Sequence, residues 1–420
     1  MSQLLQRSLD DRLTALFASD PDALAEAPAL FRELRELSPA YDHRAALLIT
    51  RHADARQLLP DFAGFGKAGR YMNDTVREAL TRMTGDEQQA YAQLSAFERL
   101  QLTAADGAEH ERLRAIMHRA MTPRRIAQLE QSVHDATSAL LRPLGGRDMA
   151  DLMQFAYRLP LIVICDLLGI PAGDREQIHE WTSAIGSNKG GIPYPGIVVA
   201  AHGAMSEFRS YLDSMLEQHR RPDNRSDLLT ALMDAEGDRL TSEELAANFV
   251  MMLLAGHETT TNLIGTGLLE LLRHPDQWRA LCDEPQRAPA AVEELLRFVS
   301  PVQWVFRIPA EDYQYNGTVI PKGRLVFVVL AAANRDPAVF SHPERLDISR
   351  TDVSEHVGFS LGPHFCLGNS LARLESRIAL EALARRFPHM QLATNEVRWR
   401  GNARLRGLAA LPIKLRPQHT

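Results

Sequence analysis

The sequence predicts a mainly α-helical fold with small β-sheets, in one domain spanning residues 1–420. Three observations carry that expectation. Thr241 to Leu272 is a single long helical stretch, opened by a capping box in which Thr241 and Glu244 each reach the other's backbone N–H. At 1.5 Å per residue it would run for about 48 Å. Its middle, FVMMLLAG, is apolar on nearly every face and therefore has to be buried all round. Helical periodicity dominates most of the remaining chain, whereas strand signals are short and cluster near residue 46 and beyond Pro309.

Taken in order, Ala46–Thr50 (ALLIT) suits a buried strand, and a helical pattern follows from Arg51. Residues 61–106 carry several glycines near their start and read as a long loop with helical pieces, the kind of segment that often binds ligands. Ala108–Met121 reads as a helix stopped by Thr122-Pro123, and Asp148–Leu168 as one very apolar helix ending at Gly169-Ile170-Pro171. Residues 185–196 (IGSNKGGIPYPG) and Arg220–Ser226 read as loops. Tyr313–Tyr315, Asn316-Gly317 and Thr318–Ile320 make a hairpin with a tight turn, Leu325–Leu330 a strand, and Leu371–Phe387 a helix.

Composition narrows the function. The chain is 45% hydrophobic and 24% charged, with a formal net charge of −6, ordinary values for a globular protein. There is no basic run, so nucleic acid is not an expected partner. The start, MSQLLQRSLDDRLTALF, lacks the apolar core of a signal peptide, and no window has the uncharged apolar length of a membrane span. A cytoplasmic protein without a membrane anchor is expected. Cys165, Cys282 and Cys366 are too few, and too far apart, for a disulfide framework or a zinc site. Cys165 sits in an apolar core run, and Cys282 follows a tryptophan-containing helix; neither is assigned a role.

The chemistry concentrates around Cys366. In Phe359-Ser360-Leu361-Gly362-Pro363-His364-Phe365-Cys366-Leu367-Gly368 the cysteine falls just before a helix pattern, where the positive dipole end and free N–H groups favour a thiolate. Gly362 and Gly368 would let the backbone turn around the sulfur. Gly358-Phe359-Ser360-Leu361-Gly362 also fits the G-x-S-x-G nucleophile elbow of hydrolases, a remote alternative with Ser360 as nucleophile. That elbow needs a helix directly after it and a downstream aspartate, and the sequence offers neither.

Two further constellations stand out. Ala255-Gly256-His257-Glu258-Thr259-Thr260 puts an acid, hydroxyls and a glycine in the middle of the long buried helix, where charge needs a partner, water or a function. Thr259 can bond back to a carbonyl one turn earlier and loosen the helix. Glu294 and Arg297 lie at i, i+3 on one helix face, and Pro343-Glu344-Arg345 follows later.

The 359–368 pattern F-x-x-G-x-H-x-C-x-G closely resembles the haem-binding loop of the cytochrome P450 family. The 255–259 segment matches that family's [A/G]-G-x-[D/E]-T in full, and E-x-x-R at Glu294–Arg297 and P-E-R at 343–345 occur in the family's order, from Ala46 to Pro412 overall. The family usually has an aromatic after that last arginine; here it is Leu346. The resemblance implies a P450-like fold with haem b between the long central helix and the cysteine-loop helix. It implies Cys366 as axial ligand of the iron, and His110, Arg114, Arg307 and His364 as partners of the haem propionates. Glu258 and Thr259 would relay protons during dioxygen activation, and Glu294, Arg297 and Arg345 would form a buried triad. His257 occupies a variable position and has no implied role.

The implied reaction is a monooxygenation. One atom of O2 enters an apolar substrate, by hydroxylation or epoxidation, and the other leaves as water. The pocket is expected between Met251, Leu254 and Ala255 on one side and Val302, Trp304 and Val305, with Phe306, on the other. No flavin or nucleotide fingerprint and no iron–sulfur cysteine cluster occurs, so the resemblance implies a separate ferredoxin and ferredoxin reductase. Their expected docking face holds Arg112, Arg119, Arg124 and Arg125, with Arg373 and Arg377. A peroxide-driven peroxygenase on the same fold is the alternative.

Overall fold

The computed structural model describes residues 8–61, 63–67, 71, 73–188, 192–219, 233 and 240–416. Its axis is the helix Ser242–Arg273, with Thr241 as N-cap and the capping box to Glu244 formed in both directions. Nearly all of its side chains are buried, as its apolar circumference requires. It packs against the helix Met153–Leu167 and against Asn369–Arg386, the helix behind the cysteine loop. The approach to the former is close: a methyl group at Gly265 would run into the Met153 sulfur. Arg175–Ser187 crosses the central helix near its middle, and Pro195–His219 packs on that crossing helix.

The largest sheet has five strands in the order Ala40–Asp42, Leu47–Ile49, Val326–Val328, Val305–Pro309 and Phe65–Gly66. The Leu47–Ile49 and Val326–Val328 pair is parallel; the other pairs are antiparallel. Helices Leu9–Phe17 and Pro21–Leu37 cover one face, closing a second apolar core separate from the one around the central helix. The hairpin Tyr313–Ile320 forms with Asn316 and Gly317 both at positive φ, the turn that Asn-Gly favours.

The helical pieces expected within residues 61–106 are the helices Asp74–Leu80 and Gly85–Arg99, the second opened by a Thr84–Glu87 capping box. The segment expected as a helix from Asp148 to Leu168 differs from that expectation. Met149–Asp151 is a strand, and the helix begins only at Met153. The strand exists because Pro412–Lys414 pairs with it across the length of the chain. Asp151 Oδ1 then accepts the Met153 N–H, starting the helix there. The loop expected at Arg220–Ser226 lies outside the described residues. Among those described, no helix is long and apolar enough to cross a membrane.

Candidate active site

The cysteine loop is tied down by its own backbone. The Cys366 N–H donates to Phe359 O (3.0 Å) and the Phe365 N–H to Gly362 O (2.9 Å), and Asn369 Nδ2 donates to Cys366 O (2.8 Å). Gly362 sits at φ 71°, and a Cβ there would come within 2.6 Å of Pro60 Cα, so only glycine fits. Gly368 has an ordinary negative φ, and among the described residues no atom beyond its chain neighbours lies within 4 Å of where its Cβ would be. Its role is therefore not a tight turn; it keeps the space beside Cys366 open. Phe359 is buried under the Arg373 guanidinium, whose carbon lies 4.5 Å from the ring centre. Burial pushes the Cys366 thiol up, opposed by the Gly368 N–H and the charges of Arg114 and Arg373. A coordinated cation would overcome that burial penalty and hold the thiolate.

Ser360 does not make a hydrolase site. Its hydroxyl is buried with no hydrogen-bond partner among the described residues, and a 3-10 turn at Gly362–His364, not a helix, follows it.

The cations expected to meet propionates converge. The His110 and His364 rings lie 4.2 Å apart, and Arg114 Nη2 donates to Phe365 O (2.9 Å) inside the loop. Arg307 is fully buried, donating to Phe306 O (2.8 Å) and Leu59 O (2.9 Å), and burial lowers it to about 10. Burial lowers His110 to about 4, with Arg114 and Lys67 adding repulsion. His364 is lowered by burial and then by Lys67, His110, Arg307 and Arg114. Lys67 is thus a fifth member of the set. Its own N–H is held by the Asp106 carboxylate, and no motif in the sequence marks it. Cationic and imidazole donors gathered around an open cysteine suit a flat group that carries two carboxylates. The residues present therefore fit haem.

On the central helix, Ala255 is exposed and Gly256, Glu258 and Thr259 are partly accessible, in the middle of an otherwise buried element. Thr259 Oγ1 donates to Ala255 O (2.8 Å) and Thr260 Oγ1 to Gly256 O (3.2 Å), so both hydroxyls bond back along the helix. Glu258 turns toward the crossing helix and Arg400, with Oε1 3.6 Å from Arg400 Nη2. Burial raises its pKa, opposed by Arg400 and Arg404. Met251 and Leu254 are buried.

Two expected site residues are elsewhere. Arg345 is exposed, and only its carbonyl takes part in the buried charge network, accepting from Arg297 Nη2 (3.1 Å). The third charged member is Arg350, with Nε 3.2 Å from Glu294 Oε2, while Arg297 grips Glu294 through bonds of 2.7 and 2.8 Å. Arg297 also donates to Asn334 O and Pro343 O, so the trio fixes the chain leading to the cysteine loop. Trp304 is no pocket wall. It is 2% exposed and stacks on Phe327 beside Phe17, in the core under the N-terminal helices, with Phe306 in the same cluster. Strand alternation accounts for this: Val305, with Val302 and Leu361, belongs to a cluster on the opposite side of the strand. Of the expected docking arginines, Arg112 is paired with Glu244, Arg373 with Glu293, and Arg377 with Glu130 and Glu381. Arg119 and Arg124 are exposed.

Comparison with known proteins gives one answer. The cytochrome P450 family profile matches residues 195–400. The polyketide biosynthesis cytochrome P450 PksS of Bacillus subtilis is 36% identical over 93% of each chain. Its solved structure superposes with a TM-score of 0.82, covering 96% of this chain and 98% of that one at 34% identity. The vitamin D(3) 25-hydroxylase of Pseudonocardia autotrophica is 40% identical over 88% of each chain. P450BioI, solved in complex with an acyl carrier protein bearing hexadec-9Z-enoic acid, superposes with a TM-score of 0.85 over 94% of this chain and 99% of that one, at 29% identity. With a mainly helical fold, small sheets and relatives matched along most of its length, the chain belongs to the cytochrome P450 family and is a cytochrome P450 monooxygenase, a family whose members carry haem.

Proposed function

We propose that residues 1–420 form one catalytic domain that binds haem b through Cys366 and inserts an oxygen atom from O2 into a large apolar metabolite. The observation that carries this reading is the convergence of His110, Arg114, Arg307 and His364 on the cysteine loop. When bound, haem supplies the redox chemistry, with a thiolate ligand favouring O–O cleavage.

The chain's own residues bind, orient and move protons. Arg114 and Arg307 present guanidinium forks to carboxylates, and Gly368 leaves room for a flat group against the loop. Met251, Leu254 and Ala255 form one wall of the substrate pocket and Val302 and Val305 the other, excluding water from the reacting face. Glu258, whose pKa burial raises, donates a proton to Thr259. The Thr259 hydroxyl, already donating to Ala255 O, keeps its lone pairs free to accept that proton and passes on its own. Electrons come from a ferredoxin and its reductase, docked at the exposed Arg119 and Arg124. Relatives named for polyketide biosynthesis and as a vitamin D(3) 25-hydroxylase support the reading of a large apolar substrate.

The test is the visible spectrum of the reduced protein under carbon monoxide after reconstitution with haem. A long-wavelength thiolate band is expected, and its loss in Cys366→His. A band already at the imidazole position in the wild type would sink the assignment of Cys366. Titration with macrolactones, steroids and fatty acids then ranks substrates by the low-spin to high-spin shift. Hydrogen peroxide in place of the ferredoxin and reductase is expected to support slower turnover; faster turnover would mark a peroxygenase.

A further inference from the structure

Next to Glu258 lies a polar cleft that the reaction as described does not use. Its walls are His179, Thr182 and Ser183 of the crossing helix, Leu254, His257 and Glu258 of the central helix, and Arg400. It measures about 10 Å³, room for about one water. Ser183 is exposed and His179 half-buried, whereas His257 is 4% exposed, so the cleft runs from the surface inward. Among the described residues, its buried His179 Nδ1, His257 Nε2 and Arg400 Nε make no hydrogen bond, nor does the hydroxyl of Tyr157, whose ring packs on both histidines. The Tyr157 ring stands 4.0 Å from His179 and 4.7 Å from His257. Buried polar groups without partners are rare and costly, and together they supply the two to four contacts a trapped water needs. The Thr182 hydroxyl donates to Ile178 O (2.8 Å) and keeps lone pairs for a further donor. The crossing helix passes directly over the acid: a Cβ on Gly186 would come within 2.9 Å of Glu258 Oε2. Arg400 is itself anchored by Asn262 Oδ1 (2.6 Å).

We propose that this cleft holds a water that carries protons from the surface at Ser183, through His179, to the Glu258 carboxylate, with His257 holding the water and Arg400 positioning the carboxylate. The proposal rests on Glu258 and Thr259 acting as the proton-handling pair. A proton taken up on one nitrogen of the His179 ring is matched by one released from the other, through the cleft water, to Glu258, and His179 ends neutral. Burial lowers His179 to about 4 and His257 to about 3, so both rings are neutral at pH 7 and keep one donor and one acceptor nitrogen each.

The experiment compares His179→Phe, His179→Gln and Thr259→Ala in the haem-loaded protein. Three quantities are read: substrate Kd from the spin shift, kcat with its solvent deuterium isotope effect, and the infrared carboxyl stretch of Glu258. We expect His179→Phe to leave Kd unchanged, lower kcat by about tenfold, raise the isotope effect and shift the Glu258 stretch. That loss is below what removing a general acid itself costs, about 10²–10⁴-fold. His179→Gln, which still bonds the water but cannot pass a proton through its side chain, is expected to lower kcat and keep the stretch close to wild type. If kcat and the isotope effect stay at wild-type values in both His179 variants while Thr259→Ala impairs turnover, the relay is wrong and the pair stands. If Thr259→Ala is also without effect, the pair itself is wrong and the relay falls with it.

Discussion

Arg350 Nε lies 3.2 Å from Glu294 Oε2, so one fully buried carboxylate holds two guanidinium groups at once, its own i+3 neighbour Arg297 and this distant arginine. The approach of Arg350 is ionic, since its Nε–H makes no aligned hydrogen bond among the described residues; its terminal nitrogens bond Ser341 O (2.6 Å), His342 O (3.3 Å) and Arg345 O (3.1 Å). Arg350→Ala leaves Glu294 short of one partner and frees three carbonyls. A loss of about 3 kcal/mol is expected, in the range for breaking a buried pair, together with weaker haem retention. Arg345→Ala, which keeps the carbonyl the network uses, should cost within about 0.5 kcal/mol. Urea unfolding of the two variants checks the order.

Trp304 and Val305 are adjacent yet serve opposite faces of a strand. Trp304→Ala opens a cavity against Phe17 and Phe327 and should cost about 3–5 kcal/mol with the substrate spin shift unchanged. Val305→Phe should change substrate Kd with little effect on stability. Thermal unfolding and spectral titration, run on both variants, separate the two faces.

Two buried groups bias stability with pH in opposite senses. His257 binds its proton only near pH 3 when folded, against 6.5 ordinarily, so between those values the unfolded chain holds more protons. Its contribution is intact above 6.5 and is lost as pH falls toward 3. At about 1.4 kcal/mol per unit, the loss is at most on the order of 5 kcal/mol. Glu375, fully buried with neither oxygen hydrogen-bonded among the described residues, has its pKa raised well above 4.5 by burial. Below 4.5 both states are protonated and there is no penalty; as pH rises above 4.5 the unfolded chain ionises first and stability falls. Glu375→Gln should therefore stabilise the protein more at pH 8 than at pH 5, and His257→Phe should flatten the acid limb. Unfolding midpoints across pH 4–9 carry both signs, and the reverse order for Glu375→Gln would refute its burial as a neutral acid.

Charge reversal separates docking from folding among the arginines. Arg119→Glu and Arg124→Glu should slow reduction by ferredoxin and weaken its salt dependence without changing stability. Arg112→Glu should do the same and also cost about 1 kcal/mol, because Arg112 is paired with Glu244 at the start of the central helix. Stopped-flow reduction across a salt series, set beside unfolding, tests this; equal rates in Arg119→Glu and wild type would remove that face from docking.

The features legible in the sequence are those built from near neighbours. Thr241 and Glu244 announce the central helix because a capping box spans three residues, and Asn316-Gly317 announces the hairpin because the turn needs two residues at positive φ. The loop around Cys366 is legible for the same reason: sulfur, glycines and His364 lie within ten residues. What tertiary structure decided depends on partners far along the chain. Met149–Asp151 becomes a strand only because Pro412–Lys414 reaches it, against an apolar run that by itself reads as helix. Alternation places Trp304 and Val305 on opposite faces, but the helices Leu9–Phe17 and Pro21–Leu37 decide which face is the core. The P-E-R spacing points to Arg345, yet the chain turns so that Arg350 reaches Glu294. Lys67 joins the His364 cluster, and His179 and Arg400 meet Glu258, across separations that no local pattern encodes. Local backbone chemistry therefore determined the elements and the reactive loop, while long-range packing of buried faces decided which charges and which side of each strand share the site.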